Sequence, residues 1–416
     1  MTRVAIIGGS RTPFAKAGTA LAKFTALELA KENVLSTIDS IGLDPQQIDE
    51  LVYGSVLLNP RRPNLAREIV LNSNLPKSLS AHFVSNNCVT GLVSAAFLAG
   101  SISSGRTKLG LAGGVESMSN PTLTLSPAAE RFFLSLNYAR SLPARLKVIS
   151  KFKPSFLFPN APSPKEPSTG LTMGQHCEMS AKEFSISRVA QDEWALGSHQ
   201  NAAKAQSSGF LAEEIAPLGR IETDNIVRPS TDLAKLAKLS PVFDRSSAGT
   251  LTAGNSSSLT DGAACVGLAS EEKAKELGLE ILGYIEDIQF AGIGPKDGLL
   301  MGPAFALTNL LEKNNLAVDE IDRYEIHEAF AAQVLSNLEV WESGWEKYPE
   351  LAAIGKIPSE KINVNGGSLA IGHPFSATGG RLILSLINEL KRNNLKKGVI
   401  SVCAAGAMAG AVLISR

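Results

Sequence analysis

Among the four cysteines and five histidines of this 416-residue chain, three side chains stand where acyl-transfer chemistry would want them. Such chemistry on sulfur needs a thiol, a base to draw off its proton, and N–H donors for the oxyanion that follows. Cys88 lies in HFVSNNCVTGLVSAAFLAG (His82 to Gly100), just ahead of a segment that reads as a helix apolar nearly all round and hence buried. Unpaired N–H groups and the positive dipole end at that helix entrance are expected to lower the thiol pKa. The competing reading of Cys88 alone is a small apolar core residue. His373 lies in NVNGGSLAIGHPFSATGGR (Asn363 to Arg381), a glycine-rich loop fixed by Pro374 that presents one imidazole, the side chain suited to accept a thiol proton. Cys403 ends a strand in VCAAGAMAGA (Val402 to Ala411), whose backbone N–H groups are candidate oxyanion donors. A Cys–His pair needs only one sulfur, so the second suggests a thiol that shuttles a proton while the first is acylated.

His327, in EIHEAFAAQ (Glu325 to Gln333), falls at a strand-to-helix junction, where functional side chains often project. Taken alone it reads as a structural histidine, and His82, His176, His199 and Cys265 are read as structural too.

The elements that must position these groups alternate between strand and helix, which argues for layered α/β architecture. Val4–Gly8 and Glu50–Tyr53 read as strands flanking an amphipathic helix over 26–41, and Lys108–Ala112 as a buried strand closed by Gly113-Gly114. The second half repeats the rhythm: a strand over 281–290, a helix through Leu310 and Leu311, a strand over 323–326, a helix over 329–341, the glycine-rich loop, a helix over 380–390 and a strand over 399–402. That repetition suggests an internal duplication, with an N-terminal half over 1–270 and a C-terminal half over 271–416. Between about 121 and 248 the rhythm breaks, interrupted by Pro143, Pro154, Pro159, Pro162, Pro164 and Pro167, so this region reads as an insertion in the first half. From Arg131 to Lys165 it carries seven basic residues and no acidic one, interleaved with Phe132, Phe133, Phe152, Phe156 and Phe158. That segment is either a solvated basic face over a small satellite core or a surface for something anionic, a lipid surface included.

Bulk properties narrow the classes. Forty Lys+Arg balance forty Asp+Glu, so no global field favours nucleic acid or a membrane. Cysteine is too sparse for a disulfide scaffold, and no Cys/His cluster has zinc-ligand spacing, so no metal is expected. Free thiols and the lack of a signal-peptide core point to the cytoplasm.

Together, NNCVTG, HEAFAAQ, GGSLAIGHPFSATGGR and CAAGAMAGA resemble the thiolase family, and the likeness runs from the opening VAIIGGSRTPFAK to the closing strand. SAGTLTAGNSSSLTDGAA (Ser247 to Ala264) is similar to the thiolase segment that lines the pantetheine of coenzyme A. HEAF, with PNLAREIVL and CAAG, looks most like the thiolase subunit of fatty-acid β-oxidation complexes. The resemblance implies two βαβαβαββ halves in a five-layered α-β-α-β-α fold with an inserted loop domain. It implies that Cys88 is the nucleophile, His373 its base, Cys403 the proton shuttle and His327 a holder of the enolate oxygen, with backbone N–H groups of Cys88 and Ala405 as the oxyanion hole. Met173, Phe243, Ala253, Gly254, Ser257, Leu259 and Phe330 become the substrate-binding positions. The implied substrates are 3-ketoacyl-CoA and coenzyme A, with no permanently bound cofactor. The implied assembly is a homodimer or tetramer, with a hydratase/dehydrogenase α-subunit as candidate partner. SNNC before the nucleophile and the alanines Ala407 and Ala409 depart from the commoner family pattern, and they leave chain-length preference open. The competing activities are an acetoacetyl-CoA-forming biosynthetic thiolase and a decarboxylating ketoacyl synthase; the second is disfavoured by Cys403.

Overall fold

The computed structural model describes residues 2–163 and 165–416; Met1 and Pro164, one of the prolines of the insertion, lie outside them. Ten strands form its framework: β1 (Val4–Arg11), β2 (Ala15–Lys16), β3 (Glu50–Gly54), β4 (Ser80–Val84), β5 (Leu109–Glu116), β6 (Thr260–Ser270), β7 (Gly283–Gly292), β8 (Arg323–Ile326), β9 (Lys397–Ala404) and β10 (Met408–Ser415). They run in the order β4-β3-β5-β6-β1-β7-β10-β9-β8, with β2 beside β6. In the first half β3 is parallel to β4 and β5, and then β5, β6 and β1 pair antiparallel. The second half repeats this sequence: β8 is parallel to β9, and β9, β10 and β7 pair antiparallel. A single parallel bridge from Tyr324 to Ile362 stands where the counterpart of β4 would run. The halves join through β1 and β7, where Val4, Ala5 and Ile6 face Ile285, Tyr284 and Gly283.

Side-chain alternation along the strands divides the interior into layers. Ala5 and Ile7 point to one core, built against the helix Ala26–Ile41, while Val4 and Ile6 point to the central one. The central core holds Leu92, Ala95, Leu98 and Ile102 of the helix Thr90–Ser103, and Leu382, Leu386 and Leu390 of the helix Thr378–Arg392. A third core packs the helix Gly302–Lys313 on Val399, Ala411 and Leu413. The result is the expected sequence of helix, sheet, helix, sheet, helix. The two central helices meet backbone to backbone. A Cβ on Gly91 would lie 2.6 Å from the Ser376 carbonyl, and one on Gly379 would lie 2.6 Å from Leu92 N.

One sequence expectation fails here. Gly113-Gly114 does not close β5, which continues to Glu116. Those glycines serve close approach instead: a Cβ on Gly113 would sit 2.4 Å from the Ala264 carbonyl and one on Gly114 2.3 Å from the Ser376 carbonyl.

The region over 121–248 is helical, with helices Pro127–Tyr138, Leu142–Ile149, Met173–Glu183, Arg188–Ser207 and Leu233–Ala237. The satellite core expected of its basic segment is present. Ala129, Phe132 and Phe156 form a satellite core, while Tyr138, Leu142, Leu146, Leu157 and Phe158 are exposed beside exposed Arg131, Arg140, Arg145, Lys147, Lys151 and Lys153.

Candidate active site

Cys88 enters the helix Thr90–Ser103 through Asn87, whose φ of +48° is a left-handed conformation that asparagine tolerates better than most residues. The Asn87 amide donates to the Ala405 carbonyl at 3.0 Å, clamping the nucleophile segment to the turn after Cys403. Gly406 N in turn donates to the Glu166 carboxylate at 3.0 Å, so the insertion braces the same turn. Ala407 sits at φ +55°, a conformation costly for a residue with a Cβ, between β9 and β10.

The two sulfurs are electrostatically linked. The N–H groups of Ala405 and of Cys88 itself favour the Cys88 thiolate, and charge on Cys88 raises the pKa of Cys403. Burial decides the resting ionisation, against the sequence expectation of a lowered thiol pKa. It pushes Cys88 up to about 12, outweighing those two N–H groups, and charge on Glu116 adds to the rise. Cys403 is likewise held well above the ordinary thiol value, first by burial and then by Cys88 and Cys177. Both thiols therefore rest protonated, and activation requires a base.

The two imidazoles lie against each other. His327 N donates to the Ser401 carbonyl at 2.8 Å, which fixes His327 beside the end of β9. The His327 and His373 rings lie 3.9 Å apart between centroids. His373 Nδ1 bonds Thr378 Oγ1 at 2.7 Å, and His327 Nδ1 bonds Ser368 Oγ at 2.8 Å. Both Nε2 atoms are buried without a partner in the protein. Burial pushes His373 down to about 3 and His327 well below its ordinary value, and Arg381 adds to both shifts. A base already neutral in the free enzyme gives no acid limb of its own near neutrality. With His373 down at about 3, initial rates between pH 8 and 5 are therefore expected to show no acid limb of kcat/KM from His373. A step near pH 6.5 to 7 that persists in Glu116→Gln would contradict it.

The positions expected to bind substrate divide between a buried cluster and the surface. Met173, Phe243 and Phe330 pack with Leu251, Ala332 and Cys403, and the Phe243 and Phe330 rings meet edge to face at 5.6 Å. Gly254 is buried, Ser257 N donates to the Ala329 carbonyl at 3.0 Å, and Leu259 bridges to His373. Ala253 and Leu259 are exposed. The segment thus runs along HEAF and His373 and reaches the surface. Among the described residues, no group of three or more His, Cys, Asp or Glu is placed to hold a metal ion.

Sequence reasoning missed the supports. Glu116 accepts from Val56 N at 2.5 Å, Leu57 N at 3.2 Å and the Ser376 hydroxyl at 2.9 Å, and burial raises its carboxyl to about 7. Glu328 of HEAF is buried and accepts from Asn363, Ser198, Trp194 and Leu369 N, which ties the insertion to the glycine-rich loop. Cys177, unremarked in the sequence, packs in the cluster that holds Cys403. None carries a local signal, because the hydrogen-bond partners of the two glutamates, and Cys403 in the cluster of Cys177, lie 35 or more residues away in the chain.

A two-half mixed sheet bearing two thiols, one at a helix entrance and one at a strand end, together with a close histidine pair, fits a Cys–His acyl-transfer fold. The chain belongs to the thiolase family: residues 4–272 match the family model "Thiolase, N-terminal domain" and residues 279–416 match "Thiolase, C-terminal domain". It is 41% identical to a 3-ketoacyl-CoA thiolase of Serratia proteamaculans, over 99% of this chain and 96% of that protein. It is 42% identical to one of Pseudoalteromonas translucida with the same coverage. Among solved structures it is similar to human mitochondrial 3-ketoacyl-CoA thiolase in complex with CoA, with TM-score 0.83, 29% identity and coverage of 100% of this chain and 98% of the other. An acetyl-CoA acetyltransferase of Bacillus anthracis gives TM-score 0.84 at 32% identity, covering 100% and 99%.

Proposed function

We propose that this thiolase is a degradative 3-ketoacyl-CoA thiolase, an acyltransferase that uses coenzyme A to cleave 3-ketoacyl-CoA into acetyl-CoA and a shortened acyl-CoA. The observation that carries the reading is the pair of imidazole rings 3.9 Å apart, each with a buried Nε2 that has no partner among the described residues, in a fold where charge on Cys88 is felt by Cys403. The full-length likeness to 3-ketoacyl-CoA thiolases supports the substrate class.

His373 Nε2 takes the Cys88 proton as the sulfur attacks the 3-keto carbon, and the N–H groups of Cys88 and Ala405 hold the oxyanion. The C2–C3 bond then breaks, and its electron pair leaves as the enolate of acetyl-CoA. His327 and the newly protonated His373 hold that enolate oxygen, directly or through water, while Cys403 gives its proton to C2. Coenzyme A next returns a proton to the Cys403 thiolate, and its sulfur displaces Cys88 from the acyl group. His373 restores the Cys88 proton. The test is incubation with 3-ketoacyl-CoA esters of graded length, following acetyl-CoA release and the acyl mass on Cys88. Medium and long chains are expected to react. No adduct at any length would end the reading, and adducts from acetoacetyl-CoA alone would favour the biosynthetic thiolase.

The halves 1–270 and 271–416, the first bearing the insertion 121–248, are read as the two thiolase domains. Four free cysteines support a reducing compartment, read as the cytoplasm. Assembly as a homodimer or tetramer, with a hydratase/dehydrogenase α-subunit as further partner, is part of the same reading; the unpaired outer edge of β4 supports it as a pairing surface.

Among the described residues, no helix is long and apolar enough to cross a membrane. The exposed apolar and basic side chains of the 131–165 segment support peripheral contact with an anionic lipid surface. The protein is expected to sediment with phosphatidylglycerol vesicles but not with phosphatidylcholine vesicles. Leu142→Glu with Leu146→Glu is expected to lower that binding by about tenfold or more, since each substitution trades apolar burial for repulsion. Equal binding to both vesicle types, or binding unchanged in the variant, would refute it.

A further inference from the structure

Two histidines 3.9 Å apart, both neutral, serve two roles only if their Nε2 atoms differ: one must carry a lone pair and the other a proton. The hydrogen bonds on the far side of each ring decide this. Thr378 Oγ1 donates to the Pro374 carbonyl at 3.1 Å, which commits its only proton. Its bond with His373 Nδ1 at 2.7 Å must then run from the ring N–H to the hydroxyl oxygen. His373 thus carries its proton on Nδ1, and Nε2 is a bare lone pair. Ser368 is placed the other way. Arg381 Nη2 donates to Ser368 Oγ at 3.2 Å, filling one of its lone pairs, and His327 Nδ1 lies 2.8 Å away, within reach of the Ser368 proton. With that proton directed at the ring, His327 Nδ1 is the acceptor and Nε2 carries N–H. Arg381 is held in place by the buried Glu325 carboxylate at 3.2 Å.

We propose that Ser368 and Thr378 are positioning residues that set opposite tautomers, making His373 Nε2 an acceptor and His327 Nε2–H a donor within the same site. The inference rests on the thiolase reading for its consequences, though not for its geometry. His373 then enters the cycle as base alone, and becomes a donor only after it has taken the thiol proton. His327 enters as a ready donor for the enolate oxygen. The charge on Arg381 opposes protonation of either ring, so neither drifts to imidazolium.

The two positions therefore separate by reaction. Cleavage of 3-ketoacyl-CoA forms an enolate and needs both histidines. Exchange of an acyl group between acyl-CoA and labelled coenzyme A passes through acyl-Cys88 with no carbon–carbon bond broken, and of the two histidines needs only the base. Ser368→Ala is expected to lower cleavage about 10²-fold, the size of losing one oxyanion donor, while leaving exchange within about threefold. Thr378→Val is expected to lower both by about 10²-fold or more, with recovery in Thr378→Ser. Ser368→Ala slowing both reactions equally, or neither, overturns the proposal. Nitrogen NMR of ¹⁵N-histidine-labelled wild-type protein reads the tautomers without any variant: His373 protonated on Nδ1 and His327 on Nε2 is expected, and the same tautomer on both refutes it. A wild type that performs neither reaction removes the function reading, and the tautomer measurement still decides this one.

Discussion

Cys88→Ala is expected to form no acyl adduct and to lose at least about 10³-fold in 3-ketoacyl-CoA cleavage, as removal of a covalent nucleophile does elsewhere. The expectation follows from the cost of making the thiolate. With its pKa pushed up to about 12, Cys88 is almost wholly protonated at neutral pH, so its nucleophilicity exists only while His373 accepts the proton. Alanine removes the sulfur and leaves the oxyanion donors with nothing to hold. Because Cys88 is only partly buried, the substitution should change melting by a few degrees at most. Mass spectrometry of the protein after incubation with substrate checks the adduct, and a coupled acetyl-CoA assay checks the rate. An adduct on another cysteine, with activity retained, would move the nucleophile.

Cys403→Ala carries the second largest effect, about 10²- to 10⁴-fold in turnover, the range for a lost general acid–base group. The argument is electrostatic. Charge on Cys88 raises the pKa of Cys403, so the two sulfurs resist ionising together. As a thioester Cys88 cannot carry charge, so that repulsion is absent in the steps that require Cys403 to lose and regain a proton. The variant is expected to keep Cys88 alkylation by haloacetamide, since neither the nucleophile nor His373 is touched. Loss of alkylation together with turnover would instead mean a collapsed site. Alanine suits the apolar surround of Phe330, Leu251 and Ala332, where a serine hydroxyl would have to find a partner.

The active-site candidates were legible because each sits in a local pattern that a core residue does not need. Cys88 opens an apolar helix, His373 stands in a loop of five glycines, and Cys403 ends a strand among small residues. Strand and helix periodicity gave most elements for the same local reason. What was misread shows the limit. Gly113-Gly114 looked like a strand end, yet the pair is there because other backbone lies under 2.5 Å from where its Cβ atoms would be. The Cys88 pKa was expected to fall on the strength of one helix, but desolvation by the whole surrounding core moves it the other way.

The sequence by itself determined the candidate reactive groups, the order of most strands and helices, and the basic, phenylalanine-rich character of the 131–165 segment. Only the tertiary structure decided that the thiols rest protonated, that Thr378 and Ser368 back the two imidazoles, and that Glu116 and Glu328 anchor the loops around them. The physical reason is range. Periodicity and turn chemistry act over a few residues, whereas desolvation and buried hydrogen bonds depend on what the rest of the chain places around a group.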